Sequence, residues 1–210
     1  MLNKDPDAYI AVTSGGVFHI LNPKASEVKV EDLAHSAARI SRYTGHGRKY
    51  CWWSVAEHEI LVAKILEAAG YGPAQQLEGL LHDASESYLN DVSSPLKHSE
   101  VFRLYRALED ETMVEIANPL GIDPIGFERS YVCLADRLAF AIEVPVLFEH
   151  EELFNNIEPL PVLSDRFRID LQTIAKEWGP VLYESEHLVS HSAIAERWLE
   201  EYNRLKEAAG

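Results

Sequence analysis

Cysteine is scarce in this chain, long apolar runs are missing, and positive charge is heavily outweighed. Two cysteines, Cys51 and Cys133, are too few for a disulfide framework. A reducing, cytoplasmic setting is therefore the expectation. No stretch approaches the roughly 18 apolar residues of a membrane span, and Met1-Leu2-Asn3-Lys4-Asp5 lacks signal-peptide character, so no membrane partner is expected. The formal net charge of −15 leaves no basic footprint for gripping a DNA or RNA polymer. A nucleotide in a locally basic pocket stays compatible with it. No internal repeat or low-complexity segment is present. What remains is an ordinary globular composition, 47% hydrophobic and 25% charged over 210 residues. That is enough for one domain, or at most two small ones, around a real core.

The periodicities predict an all-α fold with a short N-terminal β-hairpin. Residues 1–30 form the hairpin extension: Ala8–Thr13 and Val17–Leu21 flank Ser14-Gly15-Gly16, with Asn22-Pro23 closing the second strand. Residues 31–210 form the helical domain. Its first helix begins at Glu31-Asp32 and runs through Leu33, Ala37 and Ile40, towards Tyr43, ending at Gly45 and Gly47. A basic, aromatic loop from Gly45 to Trp53 follows, a candidate lid. Ser54-Val55-Ala56-Glu57 is a capping box, and His58 lines up with Val62 and Ile65 on the inward face of the helix it opens. Gly70-Tyr71-Gly72-Pro73 breaks the chain. Leu77, Leu80, Leu81, Ala84 and Tyr88 then keep helical spacing through His82-Asp83. Further helices are expected near 99–117, 125–144 (stopped by Pro145), 167–178 and 192–208, with 146–166 a long connection.

Against this apolar background a few polar residues stand out. Asp is rarely buried without a partner. Leu80 to Glu86 nonetheless carries an imidazole and two carboxylates, with Asp91 shortly after. Singly, His58 reads as a hydrogen-bonded core histidine, Asp136 as an ion-pair partner and His82-Asp83 as coincidence. Together, two imidazoles and two carboxylates from three helices make a mixed N/O set suited to Mn, Fe, Co, Ni or Zn. A divalent ion in such a set makes hydroxide accessible near neutral pH and polarises a phosphoryl oxygen.

The order His…His-Asp…Asp resembles that of the HD-domain metal-dependent phosphohydrolases. More narrowly, three segments are similar to small HD proteins related to bacterial deoxynucleoside 5′-monophosphatases. They are Ser54-Val55-Ala56-Glu57-His58, Leu81-His82-Asp83-Ala84-Ser85-Glu86 and Asp91-Val92-Ser93-Ser94-Pro95-Leu96-Lys97. The resemblance spans about Glu31 to Glu143. It implies an HD-type helical bundle with one divalent ion on His58, His82, Asp83 and Asp136. Mn, Co, Zn, Fe or Ni are the candidates, with Mg as a further one. Glu86 and Asp91 match carboxylates placed near the attacking water or, in triphosphate-cleaving relatives, a second ion. Arg42-Tyr43 resembles a substrate-contacting Arg-Trp pair, with Tyr in place of Trp. Lys97 matches a lysine positioned for phosphate, and Arg48, Lys49 and Trp52 on the basic loop join the candidate substrate contacts.

The resemblance thus implies a hydrolase of (deoxy)nucleotide phosphate esters, foremost a 5′-nucleotidase on deoxynucleoside monophosphates, working as a homo-oligomer. A dNTP triphosphohydrolase is the alternative within the class, and a non-catalytic nucleotide-binding or regulatory HD module the alternative outside it. The Gly-Tyr-Pro motif that follows His-Asp in cyclic-dinucleotide phosphodiesterases is missing at that place, and the large dNTP triphosphohydrolases have much longer chains.

Overall fold

The computed structural model describes residues 5, 7–150, 170–183 and 189–210. Its architecture is all-α with a short N-terminal hairpin. Strands β1 (Ile10–Ala11) and β2 (Val17–Phe18) pair antiparallel, Ile10 opposite Phe18 and Ala11 opposite Val17. Gly15, at φ 82°, supplies the left-handed turn conformation that a side chain disfavours. The hairpin is knitted into the body: Phe18 is fully buried and stacks on Tyr88 with ring centroids 3.7 Å apart.

Among the described residues the helices are α1 (Val30–Ala37), α2 (Val55–Ala68), α3 (Pro73–Leu80), α4 (Glu86–Leu89), α5 (Ser94–Lys97), α6 (Arg103–Leu120), α7 (Ser130–Leu147), α8 (Leu171–Trp178) and α9 (His191–Ala209). Helix α2 is the axis of the molecule. Eleven of its fourteen residues are buried, as expected for a helix that is apolar nearly all round. One side, through Ile60 and Ala63, joins a core with α1, α3, α6 and α9 around Trp198 and Leu205. The other, through Leu61, Val62, Ile65 and Leu66, joins a second core with α7 and α8. The capping box that starts α2 is formed as expected: Ser54 Oγ accepts from the Glu57 N–H, and Glu57 reaches back to the Ser54 N–H.

Several boundaries differ from the sequence expectation. Helix α1 ends at Ala37 rather than reaching Ile40 and Tyr43, because the chain turns to pair Ser41 with Ser54. The Arg42 N–H donates to the Trp53 carbonyl and the Val55 N–H to that of Ile40, which anchors Arg42 at the start of α2. The helix expected to carry His82-Asp83 stops at Leu80, and residues 81–85 form turns before α4. Helix α6 begins at Arg103 after a 3₁₀ turn over Glu100–Phe102 and takes Pro119 into its last turn. Pro145 likewise does not stop α7, which ends at Leu147. The carbonyls freed there find donors: Arg48 Nη2 lies 3.3 Å from the Pro145 oxygen and 2.9 Å from that of Phe148, and the Arg48 N–H takes the Leu147 oxygen. The helix near 167–178 is α8, from Leu171. Residues 151–166 of the expected connection lie outside the described residues.

Candidate metal centre

Three elements converge at the middle of α2. The helix holds His58 fully buried. Gly79 on α3 faces it with no side chain: a Cβ there would lie 2.5 Å from Leu66 Cδ1 and 3.3 Å from Val62 Cγ1. That missing atom lets α3 close onto α2 and brings the turn after it within reach of His58. The third element is α7, which carries Asp136 across the second core.

The helix break after Leu80 explains how neighbours in sequence serve one point. Successive side chains of a regular helix diverge by about 100°. In the turn after Leu80, His82 Nε2 and Asp83 Oδ2 approach to 3.3 Å instead. His58 Nε2 lies 3.4 Å from His82 Nε2, 3.7 Å from Asp83 Oδ2 and 3.1 Å from Asp136 Oδ1, and His82 Nε2 is 3.9 Å from that same oxygen. A tetrahedron of ligands about 2.1 Å from a common ion has edges of about 3.4 Å. His58 Nε2 thus has three of these groups at about such an edge length, while no such approach joins Asp83 and Asp136. His58, His82 and Asp83 each offer one donor atom within 4.8 Å of the others. The histidines form the closed floor, with side chains 0% and 9% exposed, and Asp83 (23%) and Asp136 (42%) form the side open to solvent.

The far nitrogens of both imidazoles are tied back. His82 Nδ1 lies 2.8 Å from the Gly79 carbonyl oxygen and His58 Nδ1 2.5 Å from Glu143 Oε1. Each acceptor requires a proton on Nδ1, which leaves Nε2 as the atom presented to the cluster, as ligating histidines are commonly held. Electrostatics agree with the geometry. Burial opposes charge here, yet Asp83 and Asp136 push the His82 imidazole up to about 10. Asp83 is held well below the usual carboxylate range despite its burial, chiefly by the His82 cation.

Beside this cluster lies Glu86, only 3% exposed. Burial raises its pKa well above the ordinary value, and the negative charges of Asp83 and Asp91 push the same way. One oxygen is 3.4 Å from Lys97 Nζ and the other has no partner. Lys97 is shared with Glu109 at 2.7 Å. Asp91 follows Asn90, whose positive φ of 74° ends α4. Burial raises Asp91 too. Arg42 reaches the cluster from the Ser41–Ser54 pairing, with Nη1 3.5 Å from Asp83 Oδ2 and Nε 3.4 Å from Glu143 Oε2. Tyr43 gives its hydroxyl to Glu143 at 2.5 Å, and its ring lies edge-on to Phe148.

Three expected substrate contacts are directed elsewhere. Arg48 is engaged with the carbonyls ending α7, Lys49 lies over the Tyr50 ring on the exposed loop, and Trp52 packs its ring against His191. Two acids that the sequence reading did not single out stand at the site. Glu143, fully buried, is seven residues beyond Asp136 and so on the same face of α7, a spacing that could have flagged it. Glu59, also buried, accepts from Trp198 Nε1 at 2.8 Å. Its partner is 139 positions away and left no local signal.

No family profile matches the chain. Two curated proteins are similar to it, and their names state no activity. The uncharacterized protein YfdR of Escherichia coli is 28% identical over 119 residues, 56% of this chain and 61% of its own length. The other is 31% identical over 172 residues, 77% of this chain and 87% of its own. By that identity and coverage, the chain belongs to the family of the uncharacterized protein RCAP_rcc00048 of Rhodobacter capsulatus.

Proposed function

We propose that this protein is an HD-type metal-dependent phosphohydrolase that cleaves a phosphate ester of a (deoxy)nucleotide, foremost a deoxynucleoside 5′-monophosphate. The observation that carries the reading is the donor cluster: His58 Nε2 lies 3.1 to 3.7 Å from His82, Asp83 and Asp136, and His82 Nε2 lies 3.3 Å from Asp83, with both imidazoles presenting Nε2 to the cluster. His58, His82, Asp83 and Asp136 would hold one divalent ion, and their N/O chemistry suits Mn, Fe, Co, Ni or Zn. Such an ion supplies a Lewis acid for the phosphoryl group and a nucleophile at neutral pH.

The remaining chemistry falls to the chain. Substrate would approach from the open side, over Asp83 and Asp136. Arg42 lies against Asp83 and Lys97 against the neighbouring Glu86, and in so acidic a protein such local charge has to draw in the phosphate. Glu86, whose pKa is raised by burial and by its anionic neighbours, is suited to donate a proton to the leaving oxygen as the P–O bond breaks. Asp91, on the segment just beyond, is suited to orient the incoming water.

The test is a phosphate-release screen of the metal-free protein reloaded with Mn, Co, Mg or Zn, against NMPs, dNMPs and dNTPs, with products separated by chromatography. Orthophosphate and nucleoside from dNMPs is the expected result. Tripolyphosphate from dNTPs would move the protein to the triphosphohydrolases. Nucleotide binding without turnover under every metal would make it a binding module.

A further inference from the structure

Glu143 is the most enclosed carboxylate near the candidate centre and is not itself a ligand in the proposed set. It accepts on both oxygens: Oε1 faces His58 Nδ1 at 2.5 Å, and Oε2 faces the Tyr43 hydroxyl at 2.5 Å and Arg42 Nε at 3.4 Å. The segment delivering those two donors is strained. Tyr43 and Thr44 both have φ of 56°, the left-handed region that costs a residue with a side chain about 1–2 kcal/mol. Strain of this kind persists where surrounding contacts over-determine it. Here the contacts are the Tyr43 hydroxyl on Glu143 and the packing of its ring against Phe148.

We infer that Glu143, pinned by Arg42 and Tyr43, is the positioning residue of the centre, setting the tautomer of His58 so that the Nε2 lone pair faces the ion. A carboxylate can only accept, so the Nδ1 opposite it must carry the proton. The inference rests on the metal-centre reading and gives Tyr43 a role in this network, through its hydroxyl, in place of the expected substrate contact. It also makes an unusual prediction for Glu143→Gln. Arg42 can only donate, so the amide oxygen turns towards Arg42 and Tyr43. The amide NH₂ is then left facing His58 Nδ1. That nitrogen must become the acceptor, and the proton moves to Nε2, where it blocks ligation.

The experiment titrates the wild-type protein, Glu143→Gln and Tyr43→Phe with Co²⁺ alone, followed by the visible absorption of the bound ion, and records the ¹⁵N histidine spectrum of each ion-free protein at a pH high enough for the His58 ring to be neutral. Expected are tight Co²⁺ binding by the wild type and a loss of about tenfold or more in Glu143→Gln, as for other groups that orient ligands. Its absorption band should change shape, and the His58 signal should switch from the Nδ1–H to the Nε2–H pattern. A merely structural acid would lower the melting temperature without switching the tautomer. Tyr43→Phe keeps ring and charge and should weaken binding in the same direction by less, which keeps the test alive if Glu143→Gln does not fold. Wild-type affinity in the folded variants, with an unswitched tautomer, overturns the inference and leaves the metal-centre reading standing. Failure of the wild type to bind Co²⁺ overturns that reading, and the inference with it.

Discussion

His82 and Glu86 are four positions apart and do different work. His82 points Nε2 at the donor cluster, whereas Glu86 sits beside it with one oxygen unpaired. Removing a ligand and removing the acid should therefore separate. His82→Ala is expected to abolish tight binding of a transition-metal ion and all turnover, as judged by metal analysis and phosphate release. Glu86→Ala should keep the ion and lose about 10²–10⁴-fold in rate, the usual worth of a positioned acid. Near wild-type turnover in Glu86→Ala would pass the role to Asp91. Arg42 is a composite case. Its guanidinium meets Asp83 and the fully buried Glu143, so its loss leaves a buried carboxylate without its cation, which typically costs about 3–5 kcal/mol. Arg42→Ala should lower the melting temperature and raise KM together. Arg42→Lys restores charge without the fork and should recover stability more than KM. An unchanged KM in both variants would leave Arg42 a structural ion-pair partner only.

At the scale of elements, the approach of α3 to α2 decides whether His82 and Asp83 meet His58. Gly79 permits it, and its carbonyl also receives the His82 Nδ1 proton. Gly79→Ala favours the helix intrinsically but drives a methyl group into Leu66 and Val62. Overpacking of this kind costs about 1–3 kcal/mol. The variant should melt lower by denaturant titration and bind Co²⁺ more weakly, because the turn carrying His82 and Asp83 moves with α3. An intact affinity at reduced stability would mean that the turn is positioned independently of the helix. The element scale is also where the sequence pattern misled. The spacing of Leu77, Leu80, Leu81 and Ala84 is helical, yet the chain stops at Leu80. A buried imidazole and carboxylate side by side can share a point only if the helix ends there.

At the scale of the molecule, α9 closes the fold against its centre. Trp198 is fully buried on Glu59, Lys206 Nζ caps the end of α6 through the Leu120 carbonyl, and Glu201 bridges Lys64 of α2 and Arg204. Burial would raise Glu201, but its hydrogen bonds to Arg204 and Lys64 outweigh that and lower its pKa. A carboxylate depressed in the folded state contributes stability above its unfolded pKa of about 4.3 and loses it as the pH falls through its folded value. Glu201→Gln should therefore cost about 1 kcal/mol near neutrality. The gap to wild type should close below about pH 4 in thermal melts across pH. A gap that persists unchanged in acid would mean that the bridge contributes through packing and not through charge.

Much of this protein follows from local sequence. The all-α class, the hairpin over Ser14-Gly15-Gly16, the capping box at Ser54 and the inward face of His58 all rest on periodicity and turn chemistry within a few residues. His58, His82, Asp83 and Asp136 stand out locally as polar residues set into apolar runs, but their grouping as a ligand set comes from the resemblance and not from the pattern. The sequence could not say where those runs break or which distant side chains meet. Glu143 reaches His58 across 85 positions and Tyr43 across 100, and Glu59 meets Trp198 across 139. Arg48, which reads as a substrate contact on a basic loop, finds its partners in carbonyls at the end of α7. Hydrogen bonds and ion pairs select partners by distance in space, and along the chain that distance is set only once α2 has been packed from both sides.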